Sequence, residues 1–390
     1  MLDWLIVGGG IQGTHISLYL TRRKGVAADR IRVLDPHLVP LAIWERHSSN
    51  TGMEYLRSPH AHNLHFDPFS LVTFARTRAG APLARFTEPF GRPALDLFHA
   101  HSAHLIEQYH LDALRLTGRA EGLTRIPYGW RVATENGDIE TRRVVIAIGN
   151  TENPNWPQWS LPLRDAGAPI SHVFEADFDR AQLPAWEHAL VVGGGITAVQ
   201  TALSLAMTQP GTVTLLTRHA ERVHNFDSDP AWIDSRQLLP FHQTNDYAQR
   251  RAIIREARHR GSVPPDVARD LKTGLEGGLL EQRIDDITSV SWTPDQPAIE
   301  IHLAHGGSLH TDRLVLATGF DSARPGGEWL AKAVVDYGLP TAPDGYPILS
   351  PTLDWAHGLY VMGPLAELEV GPTARNFIGA RLAAERIGDS

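Results

Sequence analysis

The fold is decided by one stretch near the start of the chain, Leu5-Ile6-Val7-Gly8-Gly9-Gly10-Ile11-Gln12-Gly13. The apolar run before the glycines predicts a strand, and the pattern after them predicts a helix and then a second strand ending at Asp35. In this context Gly8 permits a tight turn, Gly10 lets a pyrophosphate approach the backbone, and Gly13 allows helix and strand to pack closely. The stretch therefore predicts a dinucleotide-binding unit rather than an ordinary glycine-rich loop.

The same unit predicts where the parts of the dinucleotide lie. Ile11 and Gln12 open the predicted helix, so their unpaired N–H groups and the positive end of the helix dipole face the phosphates. Asp35 closes the second strand, where a carboxylate accepts hydrogen bonds from a ribose diol.

A second copy of this pattern begins with Leu190-Val191-Val192-Gly193-Gly194-Gly195-Ile196-Thr197-Ala198. We expect the dinucleotide to contact Gly193, Gly195, Ile196 and Thr197. The strand that follows ends at Arg218 instead of an acid, and a cation at this position suits a ribose 2′-phosphate. The second unit therefore favours NADP, and the alternative is an Arg218 that is simply exposed beyond its strand.

The two units predict an α/β fold with two Rossmann-like dinucleotide-binding domains, the second inserted in the first. At 390 residues the chain is longer than one usual hydrophobic core. We expect the first domain at residues 1–155 and 313–390, a linker at 156–185, and the second domain at 186–312 with a helical insertion at about 228–280.

Further ligand contacts are expected where predicted strands end or helices begin. Strands at 144–149 and 313–319 end in glycine, a third strand ends at 363, and a last helix runs from about 371 to 387. The residues expected near a ligand for these reasons, or in a strand over the first unit, are Ala120, Gly149, Thr318, Gly319, Gly363, Thr373 and Ala374.

Composition limits the class of protein. The chain has 36 basic and 44 acidic residues, and this balance argues against nucleic acid or an anionic membrane as a partner. It contains no cysteine, which excludes disulfides, thiolate metal sites and a redox dithiol. There is neither a membrane-length apolar segment nor a positively charged signal-like start, so we expect a cytoplasmic protein.

Two histidine groups and one arginine-rich segment also attract attention. No carboxylate or cysteine stands at a ligand spacing beside the histidines, so we predict hydrogen-bonded histidines and no metal. The five arginines within 248–260 predict a solvated helix face. The histidines are His60, His62, His65, His99, His101 and His104.

The two units, the paired Ala-Ile-Gly and Ala-Thr-Gly strand ends and the closing strand and helix resemble the two-dinucleotide-binding-domain flavoproteins. Residues Ile170-Ser171-His172-Val173-Phe174 are similar to the linker signature of their class B flavin monooxygenase group. This resemblance implies FAD on the first unit and NADPH on the second. It also implies an oxidoreductase that acts as a monooxygenase through a flavin hydroperoxide, with dioxygen and a small nucleophilic substrate.

Within that group, the nearest resemblance is to the siderophore-type ornithine and lysine N-hydroxylases. Trp44 and the segment Gly52-Met53-Glu54-Tyr55-Leu56-Arg57 resemble the flavin-contacting tryptophan and the Met-Gln segment of these enzymes. Asn225 opens a segment that falls where they carry a substrate-side Asn-Glu pair. The resemblance thus implies an amine or amino-acid-like substrate, with Trp44, Arg57, His65 and Asn225 at the flavin face.

Two other functions stay open on the sequence. One is an FAD-dependent NADPH reductase or dehydrogenase that inserts no oxygen, and the other is a non-catalytic NADP-sensing regulatory protein. The substrate, the pathway and the oligomeric state, including a homo-oligomer, are not fixed by these motifs.

Overall fold

The structure is a computed structural model and describes residues 1–389. Its twenty strands are β1 (Leu2–Val7), β2 (Ile31–Asp35), β3 (Phe86–Thr87), β4 (Arg92–Pro93), β5 (Arg115–Thr117), β6 (Ala120–Ile126), β7 (Gly129–Thr134), β8 (Ile139–Ile146), β9 (Ile170–His172), β10 (Ala189–Val192), β11 (Val213–Thr217), β12 (Arg222–Val223), β13 (Ser262–Val263), β14 (Glu281–Ile284), β15 (Ile287–Ser291), β16 (Ile299–Leu303), β17 (Ser308–Thr311), β18 (Arg313–Leu316), β19 (Asp354–Ala356) and β20 (Leu359–Val361).

Twelve α-helices connect and cover these strands in the described residues. They are α1 (Ile11–Leu18), α2 (Ala42–Asn50), α3 (Ser70–Phe74), α4 (Leu95–Gln108), α5 (Leu161–Asp165), α6 (Ile196–Thr208), α7 (Ser235–Gln243), α8 (Tyr247–Ala257), α9 (Pro265–Glu276), α10 (Gly327–Tyr337), α11 (Glu367–Val370) and α12 (Phe377–Gly388). None of the helices in the described part of the chain is long and apolar enough to cross a membrane.

The first sheet has the order β19-β20-β8-β1-β2-β5, and β7 and β6 extend it from β8. Strand β1 lies between two parallel neighbours, with Leu5 opposite Arg32 of β2 and opposite Val144 of β8. Leu5 and Ile6 are fully buried, as expected for a central parallel strand covered on both faces. This sheet forms the core of the first unit.

The second sheet has the order β14-β11-β10-β18-β9, and all its pairs are parallel. Strand β18 pairs directly with β10, with Val315 opposite Val191, so it lies in the second sheet although the sequence predicts a return to the first domain at residue 313. Strand β9 also belongs to this sheet although it was expected in the linker. Both differences have one cause, because nothing within a strand of three or four residues indicates which neighbouring strand it pairs with.

The two units are built alike. The Gly8 amide donates to the Leu34 carbonyl over 2.8 Å, and the Gly193 amide donates to the Leu216 carbonyl over 3.1 Å. In each unit the strand on the other side, β8 or β18, pairs with the strand before the glycines. The predicted fold with two Rossmann-like units is therefore confirmed.

The C-terminal segment completes the first unit. Strand β20 pairs with β8, and α12 packs against α1. The last helix begins at Phe377 and not near residue 371, because Gly371 has a φ of +88° and Pro372–Arg375 forms a separate 3-10 turn. The side chain of Asn376 caps the helix by accepting from the Gly379 amide over 3.0 Å. Helices α7, α8 and α9 lie within the predicted helical insertion.

Candidate dinucleotide and substrate site

The first glycine turn, residues 8–13, has the geometry that its sequence predicts. Gly8 has a φ of +108°, and a Cβ on Gly13 would stand 1.7 Å from the Gly8 carbonyl oxygen, so strand and helix touch there. A Cβ on Gly10 would meet nothing within 4 Å. Helix α1 starts at Ile11 with no side-chain cap, so its first amides face that open space.

The predicted ribose acid is tied to this turn. Asp35 Oδ2 accepts from the Gly9 amide over 2.5 Å, and Oδ1 accepts from the His37 amide over 2.9 Å. Arg115, at the start of β5, places its Nη2 3.4 Å from Oδ1 of Asp35. Its Nε and Nη1 are buried and have no partner in the described residues, and burial lowers the pKa of this guanidinium. Arg115 therefore offers free donors beside the ribose position.

At the other end of the turn, two buried polar atoms lack partners among the described residues. Gln12 Nε2 donates to the carbonyls of Ala374 (3.1 Å) and Asn376 (3.3 Å), which leaves its Oε1 unpaired. The hydroxyl of Thr373 is likewise buried and unpaired. Buried polar atoms in native proteins are normally hydrogen-bonded, so these two indicate a polar ligand.

Trp44 lies beside this segment. Its ring centroid is 5.0 Å from that of Phe98 and 5.8 Å from that of Phe377, the first residue of α12. Ile11 packs against the same cluster. The structure thus brings Trp44 together with both the first glycine turn and the 3-10 turn at Pro372–Arg375.

Three further predicted residues have a clear place. Gly363 has a φ of +64°, and a Cβ on it would stand 3.2 Å from Cγ of Gln12. Gly149 follows β8 at the carboxyl edge of the first sheet, where open α/β sheets bind ligands. Ala120 opens β6, at the edge of the first unit.

The second glycine turn, residues 193–198, repeats the first in its strained position. Gly193 has a φ of +152°, and a Cβ on it would stand 2.5 Å from the carbonyl oxygen of Ala317. Helix α6 begins with Ile196 and Thr197 after an uncapped Gly195.

The space in front of the second turn is narrower than in front of the first. The Cα of Gly261 stands 3.5 Å from the position of a Cβ on Gly195. Cε1 of His219 stands 3.3 Å from the corresponding position on Gly194. A main-chain loop therefore borders, at Gly195, the place that is open at Gly10.

Arg218 follows β11 and is exposed. Within residues 1–389 its guanidinium makes no hydrogen bond or ion pair, so it is free to meet a phosphate. After β18, Thr318 donates from its hydroxyl to the Asn155 carbonyl over 2.5 Å, and Gly319 has a φ of +81°.

The linker joins the two units through aromatic contacts. His172 accepts at Nδ1 from the Phe174 amide (3.2 Å), so its Nε2 carries the proton and donates to Thr318 Oγ1 (3.1 Å). Phe174 stacks on Phe320 with centroids 4.2 Å apart, and His47 of α2 lies 4.8 Å from Phe174. Burial lowers the pKa of His47 and of His172 to about 4, so both are neutral at pH 7.

Arg57 binds the main chain at residues 224–226. It donates to the carbonyls of His224 (2.8 Å), Asn225 (3.2 Å) and Phe226 (2.7 Å), and to the hydroxyl of Ser262 (2.8 Å). Arg57 therefore anchors the first unit to the second, and its role at the flavin stays a prediction. Asn225 meets Arg57 only through its main chain, and its half-buried side chain makes no hydrogen bond within the described residues.

His65 is packed away from the other predicted site residues. Its ring stacks on Phe66 with centroids 4.1 Å apart, and its Nδ1 accepts from the Asp67 amide over 2.9 Å. Tyr109 covers its other side, with ring centroids 5.8 Å apart. His65 is therefore buried against its own loop and Tyr109, and its place at the flavin face stays a prediction.

The two histidine groups are dispersed among separate partners. His60 bonds to the Gly91 carbonyl, His99 to Ser48 and His101 to Ser70, over 3.2, 3.2 and 2.9 Å. Across residues 1–389, no group of three or more His, Cys, Asp or Glu side chains is arranged to hold a metal ion.

The arginine-rich segment is not a solvated face. Arg250 Nη1 lies 3.2 Å from Oε2 of Glu369, and Arg251 hydrogen-bonds to Glu367. Arg258 Nη1 lies 3.9 Å from Glu367 Oε2. That prediction is wrong for these three residues, because two buried acids at α11 lie opposite the insertion. Only the other two arginines of the segment are exposed.

Sequence reasoning missed three contributors to the site: Arg115, Gly261 and Glu367. Arg115 could have been suspected only from the pairing of β2 with β5, which places Val33 opposite it. No local pattern marks Gly261, which approaches Gly195 from 66 residues away. Nor does one mark Glu367, whose partner Arg251 lies 116 residues away.

Comparison with known proteins agrees with this architecture. A family model described as FAD-NAD(P)-binding matches residues 5–151, and one described as pyridine nucleotide-disulphide oxidoreductase matches residues 105–246. No curated protein matches the sequence.

Solved structures similar to the whole chain include three amine-hydroxylating enzymes. The cadaverine monooxygenase of the desferrioxamine pathway from Erwinia amylovora is 16% identical with a TM-score of 0.77, and the match covers 100% of this chain and 95% of that one. L-lysine 6-monooxygenase from Pseudomonas syringae is 20% identical with a TM-score of 0.73, covering 100% and 98%. The ornithine N-hydroxylase of Kutzneria sp. 744, solved with reduced FAD, NADP⁺ and L-ornithine, is 16% identical with a TM-score of 0.75, covering 98% and 97%.

The chain therefore has the fold of the flavoprotein monooxygenases with two dinucleotide-binding domains. The resemblance predicted from the motifs is confirmed at the level of the fold.

Proposed function

We propose that the protein is an FAD-dependent, NADPH-consuming monooxygenase that adds one oxygen atom to the nitrogen of a small amine. The observation that carries the proposal is the first glycine turn, open at Gly10 and flanked by the unpaired buried atoms Gln12 Oε1 and Thr373 Oγ1. The likeness of the whole chain to amine-hydroxylating enzymes supports it.

FAD fits the first unit. The uncapped start of α1 suits its pyrophosphate, and Asp35 with Arg115 suits the adenosine ribose. Gln12, Thr373 and Trp44 would hold the flavin end. When bound, FAD would supply the redox chemistry that connects NADPH, dioxygen and substrate.

NADPH fits the second unit. The start of α6 would receive its pyrophosphate, and the free guanidinium of Arg218 would meet its 2′-phosphate. We accordingly assign the first sheet, with the chain from β19 onward, to FAD and the second sheet to NADPH.

The overall reaction consumes one amine, one dioxygen, one NADPH and one proton, and yields a hydroxylamine, NADP⁺ and water. The protein's own part is to position these molecules and to exclude water from the junction. The stack of Phe174 on Phe320, with His47 against it, supplies an apolar wall there. Arg57 holds the loop at residues 224–226 against the first unit.

The test is direct. Purified protein should be yellow, should oxidise NADPH faster with an amine present, and should give a product heavier by one oxygen atom. Protein that binds no flavin, or that releases only hydrogen peroxide with every amine, would contradict the proposal. The second of these results would support a reductase, although reduction through a dithiol is out of reach of a chain without cysteine.

A further inference from the structure

A cluster of arginines surrounds the buried carboxylate of Glu367. The side chain of Glu367 is 1% exposed, and it accepts from Arg375 Nε over 2.8 Å and Nη2 over 3.0 Å. Arg251 also donates to it, and Arg258 approaches with Nη1 3.9 Å from Oε2. One carboxylate therefore has three guanidinium groups around it.

Neighbouring acids do not balance this charge. Asp344 pairs with Arg251 over 2.6 Å, while the carboxylate of Asp227 attracts both Arg57 and Arg258. The carboxylates are then three, those of Glu367, Asp344 and Asp227. The guanidinium groups are four, those of Arg57, Arg251, Arg258 and Arg375. The group with the weakest pairing is Arg258, whose side chain is 15% exposed, makes no hydrogen bond within residues 1–389 and reaches a carboxylate only at 3.9 Å.

A guanidinium with a single long ion pair in this position is costly. Burial, together with repulsion from Arg375, lowers the pKa of Arg258, against the opposing attraction of Glu367 and Asp227. Buried charges in proteins are normally paired, so the cluster lacks one negative charge. A planar monoanion is the ligand that fits, because a guanidinium fork matches a carboxylate in shape and charge.

The cluster also lies where the far end of a substrate would be expected. The main chain of Arg258 forms an isolated antiparallel β-bridge with that of Ser228. The amide of the next residue, His259, donates to the Asp227 carbonyl over 2.8 Å. It thus adjoins the segment at 225–230 that the sequence places on the substrate side. Arg375 directly follows Thr373 and Ala374, which flank the proposed flavin site.

We propose that Arg258, supported by Arg375, binds the carboxylate of the substrate, so that the substrate is an amino acid with a side-chain amine and not a diamine. This rests on the proposed function. It separates two chemistries found among the similar structures, since cadaverine has no carboxylate and lysine and ornithine have one.

Matched substrates test the proposal. L-lysine and cadaverine differ only by the carboxylate, as do L-ornithine and putrescine. With the FAD-loaded protein we expect a KM for the amino acid at least tenfold lower than for its diamine, measured by NADPH oxidation and product mass. The Arg258→Met change should raise the KM for the amino acid roughly 10–100-fold and leave the diamine unaffected. Equal kinetics for both members of a pair, or an equal effect of the change on both, would overturn the proposal.

Binding without turnover provides the independent measurement. L-norleucine keeps the carboxylate and lacks the side-chain amine, so it should raise the melting temperature of the native protein but not of Arg258→Met. Without ligand, Arg258→Met should melt at the same or a higher temperature, since it removes a largely buried charge that the acids of the cluster do not balance. A lower melting temperature, together with norleucine binding by the variant, would show a purely structural arginine.

Two further variants complete the design. Arg255→Met changes an exposed arginine on α8 and should alter neither binding nor melting. Should Arg258→Met not fold, Arg258→Lys keeps the charge and should still raise the KM for the amino acid alone, and no such rise counts against the site. Norleucine binding without any NADPH oxidation would contradict the monooxygenase and leave the carboxylate site standing.

Discussion

The amide of Gly9 donates to Oδ2 of Asp35 over 2.5 Å, so the acid at the end of β2 is held by the glycine turn itself. One carboxylate thus fixes the turn and faces the ribose position. Replacing Asp35 by Asn keeps the shape but turns one acceptor oxygen into a donor. We expect FAD affinity to fall roughly 10–100-fold, or about 1.5–3 kcal/mol. Titration of the apoprotein with FAD measures this, with the exposed Asp29→Asn as control. Unchanged affinity would remove Asp35 from the site.

Substitutions at two glycines of the first turn should distinguish an effect on folding from an effect on flavin binding. Gly10→Ala adds a methyl group that meets nothing within 4 Å, whereas Gly13→Ala puts one 1.7 Å from the Gly8 carbonyl oxygen. We therefore expect Gly10→Ala to fold normally and lose most of its flavin, and Gly13→Ala to be insoluble or unfolded. Circular dichroism and the flavin absorbance of the purified variants distinguish the two. Full flavin content in Gly10→Ala would argue against a pyrophosphate there.

Arg218 should discriminate between the two nicotinamide dinucleotides. Arg218→Ala removes a charge-assisted contact that only NADPH makes, on the order of 1.5–3 kcal/mol. We expect the KM for NADPH to rise about 10–100-fold and the KM for NADH to stay constant. The matched control is Arg269→Ala, an exposed arginine on α9. Equal loss for both dinucleotides would reject this role.

Buried neutral histidines predict a loss of stability in mild acid. Burial lowers the pKa of His47 and His172 from 6.5 to about 4, so the unfolded chain binds their protons first as pH falls. The free energy of unfolding should therefore decrease from about pH 6.5 down to about pH 4, by up to about 1.4 kcal/mol per pH unit for each histidine. Urea unfolding across this range measures the slope. His172→Gln should reduce it, while the exposed His310→Gln should not.

Arg57 should stabilise the junction of the two units. Its guanidinium bonds to three successive carbonyls and the Ser262 hydroxyl, a fork that the single ammonium of lysine cannot reproduce. We expect Arg57→Lys to lower the free energy of unfolding by about 2 kcal/mol and to increase proteolysis in the loop at 224–228. A variant with unchanged stability and cleavage would contradict the anchoring role.

The parts of the fold that follow from short stretches were predictable. Gly8, Gly13 and Gly193 each have a conformation or a close approach that only glycine allows, and the same few residues encode the strands on either side. The partner of β18 was not predictable, because an apolar strand fits either sheet equally well on sequence alone.

The roles of side chains were likewise predictable only where they depend on the local sequence. The free Arg218 follows its strand directly, so local order places it. Arg57 and His65 lie in a long irregular stretch whose path is set by contacts with distant segments, so their hydrogen-bond partners could not be read from the sequence. The pairing of Arg250 with Glu369 joins residues 119 apart, and no pattern in either segment announces the other.

The pairing of β20 with β8 also bears on how the protein is made. The whole second unit leaves the ribosome before Leu359–Val361 and α12, which complete the first unit, have been synthesised. The N-terminal unit, although synthesised first, thus keeps one edge of its sheet incompletely paired until the inserted unit has been synthesised, and the inserted unit is free to fold ahead of it.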